Sequence, residues 1–528
     1  MKRAFRRIAA FLLAAFPLLL AGCPRADAPA DPGQADAPAG KTVADLWDAV
    51  YLGDAKAGYF HTTVREIERD GGKLLAATQT MQLNVKREGA VVELRIETGT
   101  EETPDGQVVA VSQTTFGGKG KLTQTGRVEG DRLVLRTSPG DEVVRAPWDD
   151  AVLGLARQQR LFRDRRVKPG DRFSYQSYEL SLQAVTTLRV EVKCYEDVDM
   201  LEEKSGEKGR VTRVKRALLR ADATADKVMV AGRPMELPAL TAWLDDDRNV
   251  AREEMELPGL GRFTLFRTTR AVAEQAGAAP ERLPDLIANT LVPLDKPIDR
   301  PGEAKEVVYR VTLKGDDDPA AAFMHDDRQE AVNLKGGACE LRVRAVREPA
   351  GDGKKDGPGD EFSRSTYFLD SDNPKIKALA AEAVGNESDP WRKALRIEKW
   401  VHEHMRIRSD VNYVPASQTA ADLRGDCRQH GMLAAALCRA AGLPARTALG
   451  LVYDKDPQKG PVLAFHMWTE VWVRGRWVGL DATQGEGGVG ADHIKLADHA
   501  WGDTQPMAPL LSATRVMGRM SAEVVSVK

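Results

Sequence analysis

Leu423-Arg424-Gly425-Asp426-Cys427-Arg428-Gln429-His430 is the stretch on which the reading of this 528-residue chain turns. The residues that follow, Gly431 to Ala441, are mostly Ala, Leu and Met, and Gly442 and Pro444 then stop the run. Cys427 therefore opens a short, almost wholly apolar helix, which must be buried along its length. Asp426 is its natural N-cap, and Gly425 supplies the turn that leads the chain in. A cysteine in the first helical turn faces unpaired backbone N–H groups and the positive end of the helix dipole. Both favour the thiolate, the nucleophilic form. The same N–H groups can receive the oxyanion of a tetrahedral intermediate. The Asp426 carboxylate works against the thiolate, so a partner base is needed.

The partner is sought in Phe465-His466-Met467-Trp468-Thr469-Glu470-Val471-Trp472-Val473, which reads as a strand. Arg474-Gly475 turns it, and Arg476-Trp477-Val478-Gly479-Leu480-Asp481 returns. If Arg474 and Gly475 form a two-residue turn, Val473 pairs with Arg476 and Trp468 with Asp481. His466 and Asp481 then share a face as diagonal neighbours, about 7–8 Å apart at the backbone. A three-residue turn would put them on opposite faces. In the first register His466 can take the thiol proton and return it to a leaving amine, while Asp481 fixes the imidazole tautomer and stabilises its charged form.

The order Cys427, His466, Asp481, with the cysteine on a helix and the others on neighbouring strands, resembles the transglutaminase-like superfamily. Gly425-Asp426-Cys427, Ala441-Gly442-Leu443-Pro444-Ala445-Arg446, His466-Met467-Trp468 and Leu480-Asp481-Ala482-Thr483 carry the resemblance, over roughly residues 365 to 500. It implies a papain-like domain with thiol acyl chemistry on an amide bond. The implied partner is a peptide or protein substrate, and no metal or organic cofactor is required. Transglutaminases, peptide hydrolases and inactive forms all occur in the superfamily, so a non-catalytic binding or envelope-scaffold role is the rival reading. His430, one turn after Cys427, is a candidate second base or a supporting hydrogen-bond donor. Tyr413 and Gln418 are candidate oxyanion donors, Trp468 and Trp472 candidates to wall the cleft or pack the sheet. Arg446 reads as structural, with Glu470 orienting neighbours. A zinc site from Cys427, His430, His466 and Asp481 lacks the paired-ligand spacing of a structural site. His402-Glu403-His404 is no metal pair, because alternate positions point to different faces of a helix.

At the other end, Lys2, Arg3, Arg6 and Arg7 precede an apolar run, Ile8 to Leu20, that ends in Leu20-Ala21-Gly22-Cys23. This is a secretory signal, too short for a comfortable membrane span. It resembles a bacterial lipobox, which implies lipidation of Cys23 and attachment to a membrane surface on the periplasmic or exterior side. Pro24 after the cysteine favours the outer membrane. Residues 24–41 are nearly all Ala, Pro, Asp and Gly, the composition of a flexible tether.

Between the ends, alternating runs such as Met81-Gln82-Leu83-Asn84-Val85 and Val92-Glu93-Leu94-Arg95-Ile96 predict antiparallel strands. The expected plan is α+β. It comprises a signal peptide (1–23), a tether (24–41), β-rich domains over 42–170 and 171–300, a small β region and linker (301–361), and the papain-like, transglutaminase-like domain (362–528). A helix is expected over Trp148 to Phe162. The β-rich part reads as a partner-binding surface or, more plainly, a spacer. Formal net charge is −2, with no basic run beyond the leader, so nucleic-acid binding has no electrostatic footprint. Beyond Cys23 only Cys194, Cys339, Cys427 and Cys438 remain. Cys427 and Cys438, three turns apart on one helix, are beyond disulfide reach, and a Cys194–Cys339 bridge is left open.

Overall fold

The computed structural model describes residues 40–528 apart from 70, 88, 118–119, 139–142, 205–210, 231–232, 350–356, 409–412 and 503–511. The signal peptide, Cys23 and nearly all of the tether lie outside the described residues. The chain divides after Leu286 into two compact units. Among the described residues no helix is long and apolar enough to cross a membrane.

In the first unit, alternation builds strands whose apolar residues match across the ladder. Met81 faces Ile96, Leu83 faces Leu94 and Val85 faces Val92, and all six side chains are buried. Strands from Lys41–Leu52 to Val143–Pro147 pair each with the next. Lys41–Leu52 also pairs with Gly261–Thr268, Trp47 opposite Thr268 and Leu52 opposite Phe263. From there the order runs back through Val250–Leu257, Leu240–Leu244, Val211–Ala225 and Ala184–Glu203 to Arg172–Glu179. The stretches expected as separate domains, 42–170 and 171–300, thus contribute strands to one 14-stranded sheet, while residues 287–300 belong to the second unit, where Val292–Pro293 pairs with Gly460–Val473. Alternation shows which face of a strand is buried but not which strand lies beside it.

The expected helix over Trp148 to Phe162 is replaced by two short ones, Leu155–Gln158 and Leu161–Arg165. Trp148 and Val152 are instead packed in an apolar cluster with Val111 and Leu133. The helical start is set by Glu102, whose carboxylate accepts hydrogen bonds from the backbone N–H of Ala156 at 2.7 Å and of Arg157 at 3.0 Å. It lies where a side chain on Gly154 would have to go.

Among the described residues the second unit holds two larger sheets and a two-stranded parallel pair, Arg406–Ile407 with Arg424–Gly425. Glu306–Leu313 is paired on one side with Ala338–Arg344 and on the other with Met520–Val527, and Gln329–Leu334 forms the far edge. The region expected to stand apart at 301–361 therefore shares a sheet with the chain's last strand. It also shares one apolar core with the catalytic-type segment, in which Tyr309 and Leu341 meet Leu451, Leu463 and Ile494. The second sheet contains β1 (Ala445–Asp456), β2 (Gly460–Val473), β3 (Arg476–Leu480) and β4 (His493–His499), with β1 between β2 and β4 and β3 on β2.

Helices accompanying it include α1 (Pro374–Val384), α2 (Pro390–His404), α3 (Ala416–Asp422) and α4 (Cys427–Ala440). Asn373 caps α1 by accepting from Lys375 N, and Asp389 caps α2 by accepting from Arg392 N, each at 2.9 Å. Proline stands at the first turn of both, where its missing N–H costs nothing. Helix α4 is buried from Arg428 to Arg439. Met432, Leu433 and Leu437 alone are each worth about 1.5–3 kcal/mol by transfer from water. Thr469 Oγ1 on β2 donates to the Gly431 carbonyl at 2.8 Å, tying α4 to the strand.

Candidate active site

Cys427 is the first residue of α4 and is half-buried, on a helix buried from Arg428 to Arg439. Asp426 forms a complete capping box. Its carboxylate accepts from Arg428 N at 2.9 Å, and its own N–H donates to Gln429 Oε1 at 3.1 Å. Gly425 is required because a Cβ there would stand 2.4 Å from Gln429 Cβ. The expectation that Asp426 opposes the thiolate needs correction. The Arg428 guanidinium grips both carboxylate oxygens, at 3.0 and 2.9 Å, and both residues are buried, so the charge is matched within the cap. A sequence shows that Arg428 is near Asp426 but not that its side chain folds back.

The turn between β2 and β3 has two residues. Arg474 and Gly475 both take positive φ, 52° and 81°, as a type I′ turn demands. Val473 pairs with Arg476, Val471 with Val478 and Thr469 with Leu480. His466 and Asp481 consequently share a face, and His466 Nε2 lies 2.8 Å from Asp481 Oδ2. Burial, the largest influence on His466, disfavours its charged form. The Asp481 charge and the Cys427 sulfur outweigh burial, each also by a hydrogen bond, and hold the imidazole pKa well above the usual histidine value. With Nε2 on the carboxylate, Nδ1 is the nitrogen left for the sulfur. Burial likewise opposes the Asp481 charge, but His466 and then His493 bring its pKa well below the usual carboxylate range.

Two residues around Asp481 were missed in sequence. His493, on β4, places Nε2 3.2 Å from Asp481 Oδ2 and Nδ1 2.9 Å from Asp492 Oδ1. Glu398, on the buried face of α2, accepts from the backbone N–H of Asp481 at 3.0 Å and of Gly488 at 3.3 Å. Burial pushes its carboxyl up to about 7, and the nearby Asp481 charge adds to that. A glutamate one turn after Ala394 and one before Val401, on the apolar face, was the available signal; nothing comparable marked His493. Asp481 Oδ1 takes the Thr483 N–H at 2.9 Å, and the Thr483 carbonyl is met by His402 Nδ1 at 3.2 Å. The aspartate is therefore fixed at both oxygens and at its backbone.

The remaining candidates separate. His430 is buried with its Nδ1 2.8 Å from the Asp426 carbonyl, to which it must donate. Burial lowers its pKa. It braces the cap and is not a second base on that nitrogen. Trp468 has no exposed surface; its ring lies against Gly450 and meets the His493 ring edge-on at 5.3 Å, so it packs the sheet and does not wall a cleft. Tyr413 sets its ring 4.8 Å from the Arg428 guanidinium, and Gln418 is exposed on α3. Arg446 is structural as expected. It bonds Glu470 at 2.8 Å and Asp498 at 3.0 Å and stacks on Trp477. All four described cysteines are free, Cys194 and Cys339 included. Among the described residues, the donor atoms of His466, Asp481 and His493 lie within 4.8 Å of one another, without Cys427 or His430. Asp481 Oδ2 already meets an imidazole nitrogen on either side, so the trio reads as a hydrogen-bonded chain.

Residues 377–482 match the model of the transglutaminase-like superfamily, from α1 through the strand that delivers Asp481. This segment is a transglutaminase-like domain. No curated protein matches the chain. Among solved structures it is similar to a proposed cysteine protease from Cytophaga hutchinsonii, at 18% identity over 43% of this chain and 89% of that one, with a TM-score of 0.27. It is also similar to a beta-barrel-like protein of a domain of unknown function from Brucella abortus, at 9% identity over 44% and 98%, TM-score 0.29. A proposed protease from Parabacteroides distasonis covers 76% of this chain and 66% of its own at 10% identity, TM-score 0.18. At such scores none of the three bears on fold or chemistry. The transglutaminase-like domain lies wholly within the second unit.

Proposed function

We propose that this protein is a cysteine-dependent amide hydrolase or acyltransferase with a papain-like catalytic domain. The observation that carries the reading is the 2.8 Å bond between His466 Nε2 and Asp481 Oδ2 on an imidazole that also bonds Cys427. Cys427 gives its proton to His466 Nδ1 and attacks the carbonyl carbon of a peptide or protein amide. The oxyanion is met by N–H groups at the start of α4. As the C–N bond breaks, His466 protonates the leaving amine and a thioester remains. Water or a second amine, giving a proton to His466, then attacks the thioester and releases the sulfur. The buried Asp481 keeps the imidazole oriented and compensates its charge throughout.

The leader pattern supports lipidation at Cys23 and a place in a bacterial envelope, membrane-attached through lipid and facing the periplasm or exterior, with the outer membrane favoured. Palmitate labelling lost in Cys23→Ala would support the anchor. The catalytic reading is tested by alkylating native protein with iodoacetamide near pH 6 and mapping the modified peptide. Cys427 should react far faster than a model thiol and than Cys194; equal rates would leave the non-catalytic scaffold as the better account. Incubation of glutamine peptides with a labelled primary amine then separates the products. Incorporated label marks a transferase, and ammonia without incorporation a hydrolase.

A further inference from the structure

Beyond the triad, a second imidazole–carboxylate pair stands behind Asp481. His493 is buried at 1% exposure with one ring nitrogen toward each of two carboxylates, Nε2 to Asp481 and Nδ1 to Asp492. A neutral imidazole has a single N–H and could satisfy only one of them; the other carboxylate would face a lone pair. With both carboxylates ionised, both nitrogens donate and the ring carries a proton on each. The surroundings agree. The Arg328 guanidinium bonds the carbonyls of His493 and Gly490 at 3.0 and 2.9 Å, the His466 ring lies 5.9 Å away, and the Trp468 ring closes the remaining side. Tyr309 feels the Asp492 charge, though burial is the larger cause of its raised pKa. The other titratable groups facing Asp481 are Glu398, which accepts its backbone N–H and feels its charge, and His430, which feels that charge as well. Gly490 is part of the fit, since a side chain there would run into Asp492 Oδ1.

We propose that His493 is a positioning residue of the catalytic site, a permanently charged imidazolium that bridges Asp481 to Asp492, aims the Asp481 carboxylate at His466 and limits its pull on the His466 proton. The inference rests on the thiol–imidazole reading of the site given above. Its consequence has a sign. A positive charge on the far side of Asp481 weakens the carboxylate's hold on protonated His466. Removing that charge should let His466 keep its proton to higher pH.

The test is the rate of Cys427 alkylation by iodoacetamide against pH, in full-length wild type and in His466→Ala, His493→Gln and Asp492→Asn. In wild type the upper inflection reports loss of the His466 proton, and it should vanish in His466→Ala. In His493→Gln, which can still offer Asp481 one N–H but no charge, the inflection should move up by about one pH unit. The rate on the plateau should fall roughly tenfold as the carboxylate loosens. Asp492→Asn removes the second reason for His493 to be charged and should shift the inflection the same way by less. Thermal melts confirm folding; if His493→Gln unfolds, Asp492→Asn carries the test alone. A merely structural role would lower stability and leave the inflection where it was, and that result in a folded variant overturns the proposal. A wild type with no rapid Cys427 reaction and no His466-dependent inflection would take down the catalytic reading, and this inference with it.

Discussion

Glu179 in the first unit and Glu470 in the second are both buried, at 4% and 2% exposure, yet they titrate in opposite directions. Burial pushes Glu179 up to about 8, eased only by the Ser177 hydroxyl at 3.1 Å. Glu470 is penalised by burial too, but Lys495 at 2.8 Å and Arg446 at 2.8 Å bring it down to about 2. Both units bury polar atoms without hydrogen-bond partners, Thr62 Oγ1 and both amide atoms of Gln79 in the first, Thr419 Oγ1 and Trp468 Nε1 in the second. The first unit also holds a largely buried ion pair, Arg267–Asp48. What sets the second unit apart is that buried charges are strung into chains, His466–Asp481–His493–Asp492 and Arg446–Glu470–Lys495–Asp498. Burial sets the size of an electrostatic effect, and pairing sets its sign. A paired chain can hold charge ready at neutral pH, which acyl chemistry requires.

The largest expected break in this contrast is at the site itself. His466→Ala should slow Cys427 alkylation near pH 6 by roughly 10²–10⁴-fold, the usual weight of a positioned base. An unchanged rate would mean that the sulfur does not depend on the chain. Next comes Glu470→Gln, which takes the shared carboxylate from Lys495 and Arg446 and leaves Asp498 as their remaining close partner; it should cost up to about 3–5 kcal/mol in urea unfolding. Glu179→Gln at pH 9 should be neutral or stabilising, because it removes a buried charge with no cation on it in the bonds described; similar losses from both substitutions would erase the distinction.

Glu398 sharpens the rule inside the site. Its carboxyl is raised from 4.5 to about 7. A carboxyl raised on folding binds its proton more tightly in the native state, so its contribution to stability is greatest below pH 4.5 and declines as pH climbs to 7. The decline amounts to about 3 kcal/mol at 1.36 kcal/mol per unit. Glu398→Gln keeps the acceptor for Asp481 N and removes the titration. Its stability relative to wild type should therefore improve between pH 5 and pH 8, as followed by chemical denaturation; a constant offset would contradict the raised value. The smallest effect is at the turn. Gly475→Ala, at φ 81°, should cost about 1 kcal/mol in melting experiments. Inserting one residue beside Gly475 should do much more to the site than to the fold, since it turns His466 and Asp481 to opposite faces.

Much of the site was legible because its parts are local. The cap at Asp426, the apolar run of α4 and the two-residue turn at Arg474-Gly475 are each written within a few residues. Strand parity then carries His466 to Asp481 without tertiary information. The companions were not legible in that way. Glu398 reaches Asp481 from 83 residues away and His493 from 12, and no periodicity links them. The helix expected over Trp148 to Phe162 failed for a related reason: its apolar residues suited a helix, but Glu102, 54 residues upstream, decided where helical hydrogen bonding could begin.

The sequence by itself determined the nucleophile's helix, the His–Asp register and the strand character of residues 43–137 and 173–269, because these depend on period, turn length and capping within a window of a few residues. Only the tertiary structure decided that the β-rich stretches form one sheet, that Arg428 neutralises Asp426, and that a second histidine stands behind the triad. Those outcomes depend on which distant groups share a dry interior, where an unpaired charge is costly and each carboxylate takes whatever partner the fold brings within about 3 Å.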